Sequence, residues 1–185
     1  MIDAPVSGGV LRAREGALAV MVGGKSEVYD RCREIFQSFG DGIFYVGEHG
    51  TGHLVKALNN LLSSTTLASA AEATLVAQKG GVAPHKFLEI INASNGRSYS
   101  TEVKFPRYIL NRAFDDGFAL GLMNKDLKIA LQAAAEMELP TPVGSALAQI
   151  WQLAMAHGYG GEDHTAIYAF LEDLLGGGDM PEEGT

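Results

Sequence analysis

The chain has 185 residues, 46% of them hydrophobic, enough to bury a substantial core in one principal domain with an appendage. With 22 acidic residues against 14 basic ones its formal net charge is -8, a field that repels phosphate backbones and anionic membranes and excludes nucleic acid as an expected partner. No apolar run approaches the ~20 residues that span a bilayer, the start lacks a signal-peptide pattern, and the single Cys32 has no disulfide partner within the chain, so a soluble, cytoplasmic protein is expected.

Residues 2–6 and 17–22 read as short, largely buried strands, with Ser7-Gly8-Gly9 as a loop after the first. Residues 26–39 read as a helix whose apolar face carries Val28, Cys32, Ile35, Phe36 and Phe39, stopped by Gly40. Cys32 on that face reads as a core thiol. Residues 43–46 offer a third strand. Three short strands complete no large sheet, as expected of the edge of a bigger one.

From Thr51 onward the pattern turns helical. Residues 52–79 contain no proline and no interior glycine, which allows a helix of about 28 residues that Gly80-Gly81 ends. Its middle, from Ser63 to Ala71, is rich in small side chains and suits a central, buried helix. Pro84 opens a helix over 84–92 with Phe87, Ile90 and Ile91 as its apolar stripe. Asn95-Gly96-Arg97-Ser98 is a turn, Pro106 interrupts or kinks the next segment, and residues 111–121 form a loop. A helix from about Leu122 shows Leu127, Leu131 and Ala134 on one face and ends by Leu139, before Pro140. Thr141 and Pro142 start the next, which runs to His157 with Gly158 as its stop. Asp163 caps the last helix, buried through Ile167, Phe170, Leu171 and Leu174, and an acidic tail over 176–185 is expected to be disordered.

Two segments carry the chemistry. Lys56 and Asn60, four apart on a helix, leave one face one turn apart and can reach the same small molecule. An ammonium there can transfer the proton of a reacting hydroxyl and stabilise alkoxide charge. A lysine on a helix surface is also an ordinary solvated charge. Ser7-Gly8-Gly9 after a strand can offer a hydroxyl and successive N–H groups to a carboxylate, or be a plain tight turn. Ser7 lacks a nucleophile elbow or a histidine tied to it by spacing. His49 and His53 are four apart with no evident third ligand, so no metal is expected. Gly47-Glu48-His49-Gly50-Thr51-Gly52 has its glycines in the wrong order for a dinucleotide fingerprint. His85, His157 and His164 have no evident partners.

Asp3-Ala4-Pro5-Val6-Ser7-Gly8-Gly9, followed by Gly50-Thr51-Gly52-His53-Leu54-Val55-Lys56-Ala57-Leu58-Asn59-Asn60, resembles the substrate-anchoring loop and catalytic lysine helix of the β-hydroxyacid dehydrogenases. This family includes 3-hydroxyisobutyrate dehydrogenase, tartronate semialdehyde reductase and, more distantly, 6-phosphogluconate dehydrogenase. Phe118-Ala119-Leu120-Gly121-Leu122-Met123-Asn124-Lys125-Asp126-Leu127 resembles the family's Lys-Asp-Leu segment. The resemblance covers residues 2–175. It implies a mostly α protein: an all-helical domain like the 6-phosphogluconate dehydrogenase C-terminal domain, with a long central helix, over 49–175, preceded over 1–48 by a small α/β remnant of a Rossmann-type domain. The complete dinucleotide-binding domain that such enzymes place first is not expected in these residues.

The implied activity is reversible NAD- or NADP-linked oxidation of a short 3-hydroxy carboxylic acid, or reduction of its semialdehyde. Lys56 is then the general acid/base and Asn60 orients the substrate. Ser7, Gly8 and Gly9 hold the carboxylate, Arg97 and Ser98 help select the substrate, and Lys125 and Phe118 lie by the cofactor. Phe118 also reads as an ordinary buried aromatic, and Asp126 as a helix-start charge or structural acceptor. The helical domain implies a homodimer or higher homo-oligomer, and a noncatalytic helical dimerisation module is the alternative reading.

Overall fold

The computed structural model describes residues 1–176, so the expected tail lies, apart from Gly176, outside the described residues. The chain is mostly helical, with one small sheet near its start. It forms two compact units, one of residues 1–61 and 126–141 and the other of residues 62–125 and 142 onward. The first unit takes in the start of the long helix, where Gly52 lies against Met21 and Gly23 and Asp3 bonds to the Gly50 and His53 N–H groups.

In the first unit, β1 (Ile2–Asp3) and β2 (Val6–Ser7) both pair antiparallel with β3 (Leu18–Gly24), and β4 (Gly40–Gly47) pairs with β3 in parallel. The strand expected over 2–6 is split at Ala4-Pro5: Pro5 has no N–H to give to a ladder, although its carbonyl accepts from Met21 N–H at 3.0 Å. Gly9 was expected in a loop but begins a short helix, α1 (Gly9–Arg14), with no buried residue. Helix α2 (Ser26–Gln37) covers the sheet with Phe36, which joins Val20 and Val22 in a core flanked by Tyr29, Cys32 and Phe39. Ile35 does not belong to that face and is 62% exposed. Gly40 is no helix stop but the first residue of β4, and a Cβ there would stand 2.7 Å from the Leu18 carbonyl oxygen. Cys32 is half-buried at the edge of the core.

Helix α3 (Thr51–Lys79) has the expected length, and Gly81, at φ 84°, closes it in the left-handed region. Its small-residue stretch is internal to the second unit, where Ser64, Leu67, Ala68 and Ala71 are buried. In α4 (Pro84–Asn92) the buried side chain is Leu88, whereas Ile90, expected on the stripe, is 52% exposed. Residues Ser100–Ile109 form a π-helix that contains Pro106, and Leu110 N–H bonds back to the Phe105 carbonyl. The wider turn lets the chain stay helical through the proline. Helices α5 (Leu120–Glu136), α6 (Pro142–Ala156) and α7 (Ile167–Leu174) follow, with Gly158, at φ 90°, just past α6. Asp163 caps a short 3-10 turn (His164–Ala166) that leads into α7, by accepting from Thr165 N–H. Trp151, Phe105, Leu67, Ile109 and Ile167 are fully buried in the second unit. Among the described residues no helix is long and apolar enough to cross a membrane.

Candidate active site

The entrance to α3 explains the glycines of the second motif. The N-cap position is Gly50, at φ 92°, which has no side chain to satisfy the first N–H groups of the helix. Asp3 does so from 47 residues away: its Oδ1 accepts from Gly50 N–H at 2.7 Å and its Oδ2 from His53 N–H at 2.9 Å. His53 Nδ1 lies 3.0 Å from Oδ2 and His49 Nδ1 3.3 Å from Oδ1. The two histidines share a carboxylate, yet the described residues include no cluster able to hold a metal ion. Burial alone would raise the pKa of Asp3, but the N–H groups of Gly50 and His53 and the His53 ring outweigh it and hold the carboxyl below its usual 3.8. Gly52 meets the sheet directly. A Cβ there would collide with the Met21 carbonyl oxygen and stand 2.7 Å from Asp3 Oδ2.

Beyond this entrance Lys56 is half-buried and Asn60 is 6% exposed. Asn60 donates to Asp126 Oδ2 at 2.5 Å and accepts from Asn59 Nδ2 at 3.3 Å. Asp126 is therefore a structural acceptor, one of the two roles read for it. Ser7 is half-buried and ends β2. Gly8, at φ 140°, would carry a Cβ 2.8 Å from Arg12 Cβ, and Gly9 has φ 66°. These residues and the α3 entrance belong to the same unit.

The other expected site residues lie in the second unit. Arg97 is exposed. Ser98 and Thr101 are mutually bonded: Ser98 N–H donates to Thr101 Oγ1 at 2.8 Å, and Thr101 N–H donates to Ser98 Oγ at 3.2 Å. Lys125 is exposed on α5. Phe118 is half-buried and fixed through its backbone, its N–H to Asp163 Oδ2 at 3.1 Å and its carbonyl accepting His164 N–H at 2.8 Å. The His164 ring meets Phe118 edge-on at 5.9 Å, and its Nδ1 lies 3.1 Å from the same carbonyl.

Sequence reasoning missed a buried basic pair. Lys104, 4% exposed, lies 2.8 Å from His164 Nε2 and donates to Ser63 Oγ at 3.1 Å. With Nδ1–H donated to the Phe118 carbonyl, Nε2 is left to accept from Lys104, which assigns the neutral ring. Burial first, then the Lys104 charge, lower the His164 pKa from 6.5 to about 4, against Asp163 and Asp116. Burial likewise lowers the Lys104 pKa. A usable signal existed: Lys104 is a charge on the same helical face as Thr101, Phe105 and Ile109, where burial is expected. For His164 the unfolded ring takes its proton near 6.5 and the folded ring only near 4. Its contribution is therefore whole above pH 6.5 and is lost as pH falls toward 4, by up to roughly 3 kcal/mol. The urea midpoint is expected to drop over that window, and His164→Gln to flatten the drop.

Comparison with known proteins agrees with this architecture. Residues 50–171 match the family model described as NAD-binding of NADP-dependent 3-hydroxyisobutyrate dehydrogenase, and residues 1–47 the model of the NAD binding domain of 6-phosphogluconate dehydrogenase. The chain is 39% identical to the 2-(hydroxymethyl)glutarate dehydrogenase of Eubacterium barkeri, over 95% of this chain and 58% of that protein. It is 32% identical to the 3-hydroxyisobutyrate dehydrogenase of Pseudomonas aeruginosa, over 97% and 61% respectively. A solved Mycobacterium tuberculosis 3-hydroxyisobutyrate dehydrogenase with L-serine is similar at a TM-score of 0.85 and 31% identity, covering 92% of this chain and 60% of that one. The segment that carries the sheet and the segment that carries the long helix are each matched by a nicotinamide-nucleotide family model. The chain belongs to the β-hydroxyacid dehydrogenase family, that of 3-hydroxyisobutyrate dehydrogenase. It spans less than two thirds of the length of these relatives.

Proposed function

We propose that the chain serves the reversible NAD- or NADP-linked oxidation of a short 3-hydroxy acid, or the reduction of its semialdehyde. The nicotinamide supplies the hydride acceptor. Lys56 takes the hydroxyl proton as the amine and returns it as the ammonium in reduction, while its charge stabilises the alkoxide. Asn60 orients the hydroxyl and Ser7, Gly8 and Gly9 hold the carboxylate. Arg97 and Ser98 bear on substrate choice, and Phe118 and Lys125 on the cofactor. Residues 1–48 act as the end of a dinucleotide domain and 49–175 as the substrate and dimerisation domain of a cytoplasmic homo-oligomer. The observation that supports this reading is the Gly-x-Gly-x-x-x-Lys-x-x-Asn-Asn run of α3, at the start of the segment that the 3-hydroxyisobutyrate dehydrogenase model matches.

The test is nicotinamide absorbance in an enzyme reconstituted with a preceding dinucleotide-binding domain. 3-Hydroxyisobutyrate or 2-(hydroxymethyl)glutarate is expected to drive cofactor reduction, and the absence of turnover with any short 3-hydroxy acid would contradict the proposal. The 185-residue chain alone is expected to show little or none. The chain spans less than two thirds of the length of its relatives, and binding energy far from the reacting carbon is what orients the nicotinamide. Turnover near that of an intact dehydrogenase would refute this expectation.

A further inference from the structure

Asp3 has no part in the proton transfer just described, yet its carboxylate takes two backbone N–H groups and faces two histidine rings. It sits in β1 opposite Gly23 of β3, its side chain 2% exposed, four residues before Ser7. One oxygen takes the Gly50 N–H and faces the His49 ring, and the other takes the N–H of His53 and faces its ring. Space for those oxygens exists because two residues lack a Cβ. On Gly23 it would stand 2.6 Å from Oδ1, and on Gly52 2.7 Å from Oδ2. One side chain thus joins the strand that leads to Ser7 with the first turn of α3, and His53 is one turn before Lys56.

We propose that Asp3 is a positioning residue: it serves as the N-cap that Gly50 cannot supply and thereby sets the direction in which Lys56 leaves α3. The role rests on the reading of Lys56 as the acid/base. A near-isosteric Asp3→Asn change keeps the volume but loses the charge, and its amide nitrogen cannot accept from the second N–H group. The freed helix turn then opens more often, with the sheet retained.

The test uses the 185-residue chain with 13C-methylated lysines, the Lys56 signal being assigned with Lys56→Arg. In Asp3→Asn, amide hydrogen exchange at His53 to Ala57 is expected to speed up about tenfold or more. The Lys56 methyl resonance moves, and the Val20 and Val22 amides of β3 stay as protected as before. Unchanged exchange and an unmoved Lys56 resonance would overturn the proposal. So would an equal loss of protection at Val20 and His53, which marks Asp3 as general scaffold. Added 3-hydroxyisobutyrate is expected to shift the Lys56 signal of the unmutated chain, and more weakly that of Asp3→Asn. No shift in the unmutated chain would sink the reading of Lys56, and the positioning role with it. That failure is distinguished from loss of the tether because the exchange difference at His53 would persist.

Discussion

Replacing Lys56 with alanine in the reconstituted enzyme is expected to lower kcat about a thousandfold while leaving assembly intact. General acid/base transfer by a placed side chain contributes about two to four powers of ten, and the ammonium also stabilises the alkoxide. In the proposed mechanism the substrate is held through Ser7, Gly8 and Gly9, which the change does not touch, so KM should move far less than kcat. The half-buried position of Lys56, three residues past the Asp3-capped turn, makes alanine a mild structural change on a helix. Steady-state kinetics and sedimentation of the same variant separate the two readings of the helical unit. Lost turnover with retained oligomers is the outcome for a catalytic lysine. Lost oligomers with retained turnover would assign the helix to association instead.

The second large effect falls on stability. Gly52→Ala is expected to cost about 2–4 kcal/mol, since its methyl meets a strand carbonyl that cannot give way and crowds the Asp3 carboxylate. Gly50→Ala should cost only about 1–2 kcal/mol. Its φ of 92° strains an L-residue, but a Cβ there meets nothing within 4 Å. Urea denaturation of both variants gives the order. Equal midpoints, or Gly50→Ala as the weaker protein, would mean that helix entry does not rest on close approach at Gly52.

Much of this was legible from local pattern. The length of α3, its stop at Gly80-Gly81 and the Pro142 start of α6 follow from glycine and proline chemistry acting within a few residues. What failed were matters decided by distant packing. Ile35 has the right helical spacing for the core, but the sheet of this chain leaves that flank open. The opening glycines read as a loop, because nothing local marks residues as exposed as Gly9–Arg14 as a helix. In the candidate site, the placing of Lys56 and Asn60 one turn apart on one helix was legible from their spacing. Asp3 could not be given its role, because its partners lie 47 and 50 residues away. The burial of Lys104 could be read from its helical face, but its pairing with His164, 60 residues away, could not.

The most direct test of the proposed chemistry is where 3-hydroxyisobutyrate sits when it is crystallised with the chain. Its carboxylate is expected within hydrogen-bond reach of the Ser7, Gly8 and Gly9 amides, and its hydroxyl near Lys56 Nζ and the Asn60 carboxamide. An acid bound elsewhere, or Lys56 and Ser7 facing regions that one four-carbon molecule cannot join, would contradict it.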